Sequence, residues 1–176
     1  MRIVSGKFKG RRINPPRNIT ARPTTDFAKE ALFNVLNNRV DFEEITVLDL
    51  FAGIGSISFE FASRGCESIT TVEMNKHHAT FIRKACVDLK IDSINLIQGD
   101  AFRFIKSGTA KFDLIFVDPP YQLPELPTIP DLIFEKELLK EEGVLILEHS
   151  SKIKFDTHPR FKEQRHYGSV NFSFFE

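Results

Sequence analysis

The apolar and polar positions from residue 45 onward alternate between two periodicities. Short apolar runs typical of buried strands occur at 45–50 (ITVLDL), 68–73 (SITTVE), 94–99 (INLIQG), 112–118 (FDLIFVD) and 143–149 (GVLILEH). Helical spacing is found at 57–65, 74–91 and 130–143. Because parallel strands need crossover connections, this alternation predicts an α/β, Rossmann-like fold whose mostly parallel sheet carries helices on both faces. A final hairpin at 161–175, turning at Gly168-Ser169, would make the sheet mixed.

The first residues have a different pattern. Two short alternating runs flank Ser5-Gly6-Lys7, and Pro15-Pro16 follows them, which predicts an N-terminal β-hairpin. Thr24 or Thr25 is a good N-cap for a helix whose apolar face includes Phe27, Leu32 and Leu36. We therefore expect a basic hairpin extension at residues 1–20 and one larger domain at residues 21–176.

The charge is segregated although the net charge is zero. Residues 1–22 carry seven basic residues and no acid, whereas residues 23–150 hold 12 basic and 21 acidic residues. Such asymmetry favours a polyanionic partner at the N-terminal end, and the alternative is a solvated basic tail. Lys7, Lys9, Arg11 and Arg12 are close enough in sequence to form one patch for the phosphates of a nucleic acid.

Several classes of protein are disfavoured by composition. Two cysteines do not suggest a disulfide framework, and there is no apolar run long enough to span a membrane, so a cytoplasmic protein without a membrane partner is expected. Neither cysteine has metal-ligand neighbours in the sequence, and no metal is expected. His77 and His78 are assigned to a solvated surface.

A glycine turn follows the first predicted strand, in VLDLFAGIGS. Gly53 and Gly55 allow the backbone to approach a ligand at the carboxyl end of the sheet. Asp49 closes strand one, Glu73 closes strand two and Asp100 follows strand three. Glu73 is placed to accept hydrogen bonds from ribose hydroxyls, and Asp100 from an adenine amine. Helix capping is the alternative for each acid.

The chemistry of this turn favours a cationic ligand over a dinucleotide. Ser58 stands where the dinucleotide fingerprint has its third glycine, and Asp49 would repel a pyrophosphate. S-adenosylmethionine carries a sulfonium and an ammonium, so it suits Asp49 better than a nicotinamide cofactor.

Strand four ends in Asp118-Pro119-Pro120-Tyr121. An exocyclic base amine is a poor nucleophile, and two acceptors on its hydrogens would free its lone pair. Asp118 offers one acceptor and the carbonyl of Pro119, fixed by the proline rings, offers the other. Tyr121 offers a face on which an extruded base stacks. A plain turn is the alternative.

These stretches, together with RIVSGKFKGRRI and ARPTTDFAKEALFNVL, resemble the RsmD family of class I methyltransferases. The resemblance covers nearly the whole chain apart from the loop 122–131 and the last twenty or so residues, and RPTTD (22–26) is its most specific part. It implies S-adenosylmethionine-dependent methylation of guanine N2 in 16S ribosomal RNA, either free or in an assembling small ribosomal subunit.

The resemblance also implies roles for individual residues. Asp118, Pro119, Pro120 and Tyr121 would hold the guanine. The cofactor residues would be Arg22, Thr24, Asp49, Phe51, Gly53, Gly55, Glu73, Met74, Asp100 and Ala101.

Other functions stay open at this point. The same motif serves amino-methyltransferases of adenine N6 and cytosine N4 in DNA or RNA. A nicotinamide oxidoreductase is disfavoured by Asp49, Ser58 and the DPPY motif, and a non-catalytic RNA-binding module would need none of these acids.

Overall fold

A computed structural model describes residues 1–16 and 25–176 of the chain. The helices are α1 (Asp26–Leu36), α2 (Ser56–Ser63), α3 (Lys76–Leu89), α4 (Ala101–Ser107) and α5 (Ile129–Glu135). The strands are β1 (Thr46–Leu50), β2 (Ser68–Glu73), β3 (Ile94–Gln98), β4 (Phe112–Val117), β5 (Leu139–His149), β6 (Phe161–Tyr167) and β7 (Val170–Phe175).

The seven strands form one sheet in the order β3-β2-β1-β4-β5-β7-β6. Strands β1 to β5 pair in parallel, and β7 pairs antiparallel with both β5 and β6. The strand order reverses between β1 and β4, so a crevice opens at their carboxyl ends, where sheets of this kind bind ligands. The predicted fold class, including the mixed sheet and the turn at Gly168-Ser169, is confirmed.

Both faces of the sheet are buried, as the apolar runs predicted. Val47 packs with Phe33 of α1 and Phe61 of α2, whereas its neighbour Leu48 packs on the opposite face with Ile105 of α4 and Ile133 of α5. Successive strand residues point to opposite faces, so a strand covered on both sides must be apolar at nearly every position. The sheet is therefore a rigid frame for the loops at its carboxyl edge.

The predicted boundary between the last helix and the fifth strand was wrong. The helix ends at Glu135, and β5 begins at Leu139, inside the stretch predicted to be helical. Leu139 pairs with Phe112 of β4, and the Lys140 ammonium lies 2.7 Å from the Asp113 carboxylate. Pairing with β4 therefore overrides the helix propensity of a Leu-, Lys- and Glu-rich segment.

Helix α4 was missed by the sequence prediction. It begins after Asp100, whose carboxylate accepts a 2.8 Å hydrogen bond from the backbone N–H of Arg103. Its seven residues leave little periodicity to detect, and only Ala101 and Ile105 are buried.

The predicted N-terminal hairpin is reduced to one antiparallel bridge, between Arg2 and Arg12. The connecting turn is wider than Ser5-Gly6-Lys7, because Ile3 already exchanges backbone hydrogen bonds with Gly10 and Arg11. Ile3 is 1% exposed and packs against Phe59 of α2. The division into residues 1–20 and 21–176 stays a prediction, since its boundary lies outside the described residues.

Helix α2 holds the N-terminal segment through a buried carboxylate. Glu60 is fully buried and accepts backbone hydrogen bonds from Val4 at 2.9 Å and Ser5 at 3.0 Å. The Lys29 ammonium, also buried, lies 3.5 Å from Glu60 and donates to the carbonyl of Arg2 at 2.6 Å. The first residues are thus fixed to the core instead of forming a separate arm. Among the described helices, none combines the length and apolar character needed to cross a membrane.

Candidate active site

A cavity of about 530 Å³ lies at the carboxyl edge of the sheet, over the switch between β1 and β4. Eleven of the residues predicted from sequence line it. They are Asp49, Phe51, Gly53, Glu73, Met74, Asp100, Ala101, Asp118, Pro119, Pro120 and Tyr121. The acids predicted at the ends of four separate strands therefore surround one space.

Asp49 is the most deeply placed acid of the cavity, with 1% of its surface exposed. Its carboxylate accepts a 3.1 Å hydrogen bond from the backbone N–H of Ser58 and a second from the Ser58 hydroxyl, which in turn bonds Thr71 at 2.7 Å. Burial raises the pKa of Asp49 to about 7, and the nearby Glu73 carboxylate adds to the rise. A cation in this cavity would favour the charged form. Ser58 thus stands where the dinucleotide fingerprint has its third glycine, and its side chain and backbone hydrogen-bond Asp49.

Glu73 is held by two backbone amides. One carboxylate oxygen accepts from Gly53 at 2.7 Å and the other from Asn75 at 2.6 Å, so the carboxylate ties the glycine turn to the end of β2. His78 faces this carboxylate with its buried Nδ1 atom 3.7 Å away, and none of the described residues hydrogen-bonds that atom. The assignment of His78 to a solvated surface was wrong, whereas His77 is exposed as expected.

The glycine turn contains three residues with positive φ. Gly53 has a φ of +56°, and no atom of the described residues lies within 4 Å of the place where a Cβ would stand, so this part of the chain leaves its backbone open to a ligand. Gly55 does not line the cavity, and a Cβ there would lie 3.1 Å from Phe59 and 3.2 Å from Ile82. Its role in the structure is helix packing at a φ of +78°. Phe51 adopts a φ of 59° beside the cavity, a conformation that costs about 1 kcal/mol outside glycine.

The position of Asp100 is compatible with both roles considered from the sequence, helix capping and contact with the ligand. One of its oxygens caps α4, and the residue also lines the cavity together with Ala101. Capping and ligand binding are compatible because a carboxylate accepts up to about four hydrogen bonds.

The DPPY motif leaves the sheet directly at the switch point. The backbone N–H of Asp118 donates to the carbonyl of Leu50 at 3.2 Å, which extends the pairing of β4 with β1 by one residue. Pro119 is buried and Pro120 is exposed. The Tyr121 hydroxyl donates a 2.8 Å hydrogen bond to Glu148 at the end of β5.

Glu148 is a residue of the cavity that the sequence prediction missed. It follows the apolar run 145–147 (LIL), just as Asp49 and Glu73 follow the apolar residues of strands one and two. The sequence therefore showed an acid at the end of strand five as well.

The predicted RNA residues are divided between two places. The backbone N–H of Lys7 donates to the carbonyl of Ser63 at the carboxyl end of α2, while Ser56 at the other end lines the cavity. Eight helical residues span about 12 Å, so Lys7 lies near the far edge of the sheet. Arg11 and Arg12 instead border a groove of about 540 Å³ against the first turns of α3. The single patch of Lys7, Lys9, Arg11 and Arg12 stays a prediction.

Two predicted cofactor residues, Arg22 and Thr24, lie outside the described residues. Thr25, which caps α1 by accepting from the backbone N–H of Ala28 at 3.2 Å, lines the cavity. Within residues 1–16 and 25–176, no cluster of three or more His, Cys, Asp or Glu side chains is arranged to hold a metal ion.

Comparison with known proteins identifies the family. A family model described as "Conserved hypothetical protein 95" matches residues 1–176. Ribosomal RNA small subunit methyltransferase D of Haemophilus influenzae is 32% identical over 152 residues, which cover 84% of this chain and 78% of that protein. The chain belongs to the RsmD family of methyltransferases. The protein of the same name from Buchnera aphidicola is 28% identical over 99% of this chain and 91% of its own length.

Solved structures agree with this membership. A hypothetical protein of Thermus thermophilus superposes with a TM-score of 0.86 at 25% identity, covering 100% of this RsmD-family chain and 99% of that one. The T. thermophilus 16S rRNA N2 G1207 methyltransferase RsmC, in complex with AdoMet and guanosine, has a TM-score of 0.70 at 20% identity. It covers 89% of this chain and 44% of its own, and at that identity the likeness concerns the fold.

Proposed function

We propose that this RsmD-family protein transfers a methyl group from S-adenosylmethionine to the N2 amine of a guanine in small-subunit ribosomal RNA. The relatives named ribosomal RNA small subunit methyltransferase D support the RNA class. The observation that carries the proposal is the shared cavity: Asp49 and Glu73 on the donor side and Asp118 with Tyr121 on the base side line one space.

The donor side fits a cationic ligand. The pKa of Asp49 is raised to about 7 by burial, so a nearby positive charge would lower it again and gain a buried ion pair. The open backbone at Gly53 leaves room for the methionine end, and Glu73 is placed for the ribose. Asp100 and Ala101 would contact the adenine.

When bound, S-adenosylmethionine supplies an electrophilic methyl carbon on its sulfonium. The residues of the chain activate and position the nucleophile. The Asp118 carboxylate and the Pro119 carbonyl accept the two N–H bonds of the base amine, which directs the nitrogen lone pair at the methyl carbon. Methyl transfer to the nitrogen would form the C–N bond and leave the electron pair of the broken C–S bond on sulfur. Asp118 then accepts the proton that the nitrogen loses.

The target base must leave its stack to enter the cavity. Tyr121 supplies a face for it, and the stacking of a base on an aromatic ring is worth about 1–3 kcal/mol. The hydrogen bond from Tyr121 to Glu148 fixes the ring before the base arrives.

One assay tests the proposal. The protein is incubated with labelled donor and small ribosomal subunits, or their naked RNA, from a strain lacking the activity, and the modified nucleoside is identified by mass spectrometry. We expect N2-methylguanosine, and no product from Asp118→Ala although that variant still folds and binds the donor. Detection of N6-methyladenosine or N4-methylcytidine would show that the target base is adenine or cytosine instead of guanine. An unmodified RNA would refute the assignment as an RNA methyltransferase.

The division of the basic residues gives a second test. We expect Arg11→Glu with Arg12→Glu to weaken RNA binding more than Lys7→Glu with Lys9→Glu, because the arginines border the groove beside α3 and the Lys7 backbone is anchored at the far end of α2. Both pairs change the net charge equally, so they are matched. Equal losses in RNA affinity, measured at one salt concentration with donor affinity unchanged, would exclude the arginine side as the main RNA contact.

A further inference from the structure

Glu148 is a buried acid at the carboxyl end of β5, and the proposed reaction assigns it a bond to Tyr121 but no contact with the base. It is 4% exposed, and it lines the same cavity as Asp118. Burying a carboxylate is costly unless it is hydrogen-bonded, and the Tyr121 hydroxyl supplies a bond of 2.8 Å. An acid held in this way beside the base pocket is a candidate for a direct contact with the base.

The sheet places Glu148 beside Asp118. Val117 of β4 is in register with Leu147 of β5, so the next residue on each strand is Asp118 and Glu148. Neighbouring strands lie about 4.8 Å apart, and residues in register on parallel strands point to the same face. Two carboxylates from adjacent strands therefore border one pocket.

A pair of adjacent acceptors matches the hydrogen-bonding edge of guanine. Guanine presents two neighbouring donors, the ring N1–H and the exocyclic N2–H. Adenine and cytosine place a ring nitrogen acceptor beside their amine, and that acceptor would face a carboxylate without a proton between them. We propose that Glu148 is a specificity-determining residue that accepts the N1–H of the guanine while Asp118 accepts the N2–H. This inference rests on the proposed function, and it assigns the choice of base to a second residue.

Tyr121 orients Glu148 for this contact. Its hydroxyl donates to Oε1, and a carboxylate accepts up to about four hydrogen bonds, so several donors can share the group. The same tyrosine thus stacks on the base through its ring and fixes the carboxylate through its hydroxyl.

Binding of three nucleosides isolates the N1 contact. Guanosine has both donors, inosine keeps N1–H but lacks the amine, and 2-aminopurine riboside keeps the amine but has an acceptor at N1. Affinities are measured by NMR titration with S-adenosylhomocysteine present, for the wild-type protein, Glu148→Gln and Tyr121→Phe. The glutamine amide presents either a donor or an acceptor to N1, while Tyr121→Phe removes the hydroxyl and keeps both the ring and the carboxylate.

We expect wild-type protein to bind guanosine at least about 10-fold more tightly than 2-aminopurine riboside, the usual cost of an unmatched buried polar group. In Glu148→Gln this ratio should fall by about 10-fold, with guanosine and inosine weakened together. 2-Aminopurine riboside lacks the O6 atom, and this loss is the same for both proteins. The change in the ratio between them therefore measures the contact at N1. Tyr121→Phe keeps the carboxylate but loses the bond that orients it, so it should lower this ratio by less than Glu148→Gln does.

An unchanged ratio in Glu148→Gln would overturn the proposal. So would an equal change in Tyr121→Phe, because Glu148 would then act only by holding the tyrosine. Failure of wild-type protein to bind any of the nucleosides would also count against it. If Glu148→Gln does not fold, equal wild-type affinity for guanosine and 1-methylguanosine, which lacks N1–H, overturns it. The proposed function fails separately, if wild-type protein methylates no guanine in small-subunit RNA.

Discussion

Replacing Asp49 by Asn removes a buried acid whose pKa is raised to about 7 from an ordinary value of 3.8. The folded protein therefore keeps a proton between about pH 4 and pH 7 that the unfolded chain has released. Stability must fall as the pH rises through this window and must level off above pH 7. An asparagine at this position keeps an oxygen for the Ser58 amide and does not titrate.

The magnitude follows from the difference between the two pKa values. Each pKa unit corresponds to about 1.4 kcal/mol, so Asp49 lowers stability by about 4 kcal/mol at pH 8, where it is charged, and by about 1.5 kcal/mol at pH 5, where folding requires it to take up a proton. Any fixed effect of the amide is the same at both pH values. The free energy of unfolding of Asp49→Asn relative to the wild type should thus rise by about 2–3 kcal/mol between pH 5 and pH 8.

Urea unfolding of both proteins without ligand measures this change directly. Isothermal titration with S-adenosylmethionine adds a functional measurement, since a cation beside Asp49 favours the carboxylate. Donor affinity of the wild type should increase with pH up to about 7, with proton release on binding below it, and Asp49→Asn should bind more weakly and without this dependence. Parallel stability curves from pH 5 to pH 8 would refute the reasoning, because they would mean that Asp49 is ionised throughout.

The remaining predictions concern the parts that hold the site. Glu60→Gln should destabilise the protein by about 3–5 kcal/mol in urea unfolding, because the buried Lys29 ammonium loses the Glu60 carboxylate 3.5 Å away; an unfolding free energy equal to that of the wild type would show that this charge is not needed. Gly6→Ala should cost about 2–3 kcal/mol, since its Cβ would lie 1.8 Å from the Ser63 carbonyl oxygen at a φ of +79°, and an unchanged thermal midpoint would contradict this placement. Asp100→Ala should lose about 1 kcal/mol of capping energy, whereas Asp100→Asn should keep it; equal unfolding midpoints would show that the cap is not needed.

Much of the site was predictable because it depends on strand ends. Parallel strands bring their carboxyl ends to one edge, so acids such as Asp49, Glu73 and Asp118 come together once the strands are recognised. The same rule applied to strand five would have found Glu148. It was missed although the end of strand five was predicted correctly, because its acid stood beside a histidine, outside any known motif.

The amino-acid sequence by itself determined the alternation of strands and helices, the position of the glycine turn and the chemistry of the DPPY motif. These are local properties, set by side-chain periodicity and by the backbone limits of glycine and proline. Only the tertiary structure decided that the start of β5 is a strand, that Arg11 and Arg12 border a groove beside α3 while the Lys7 backbone is bonded to the end of α2, and that Glu148 stands beside Asp118. These features depend on contacts between residues far apart in the chain, whose free energies outweigh the local propensities that a sequence displays.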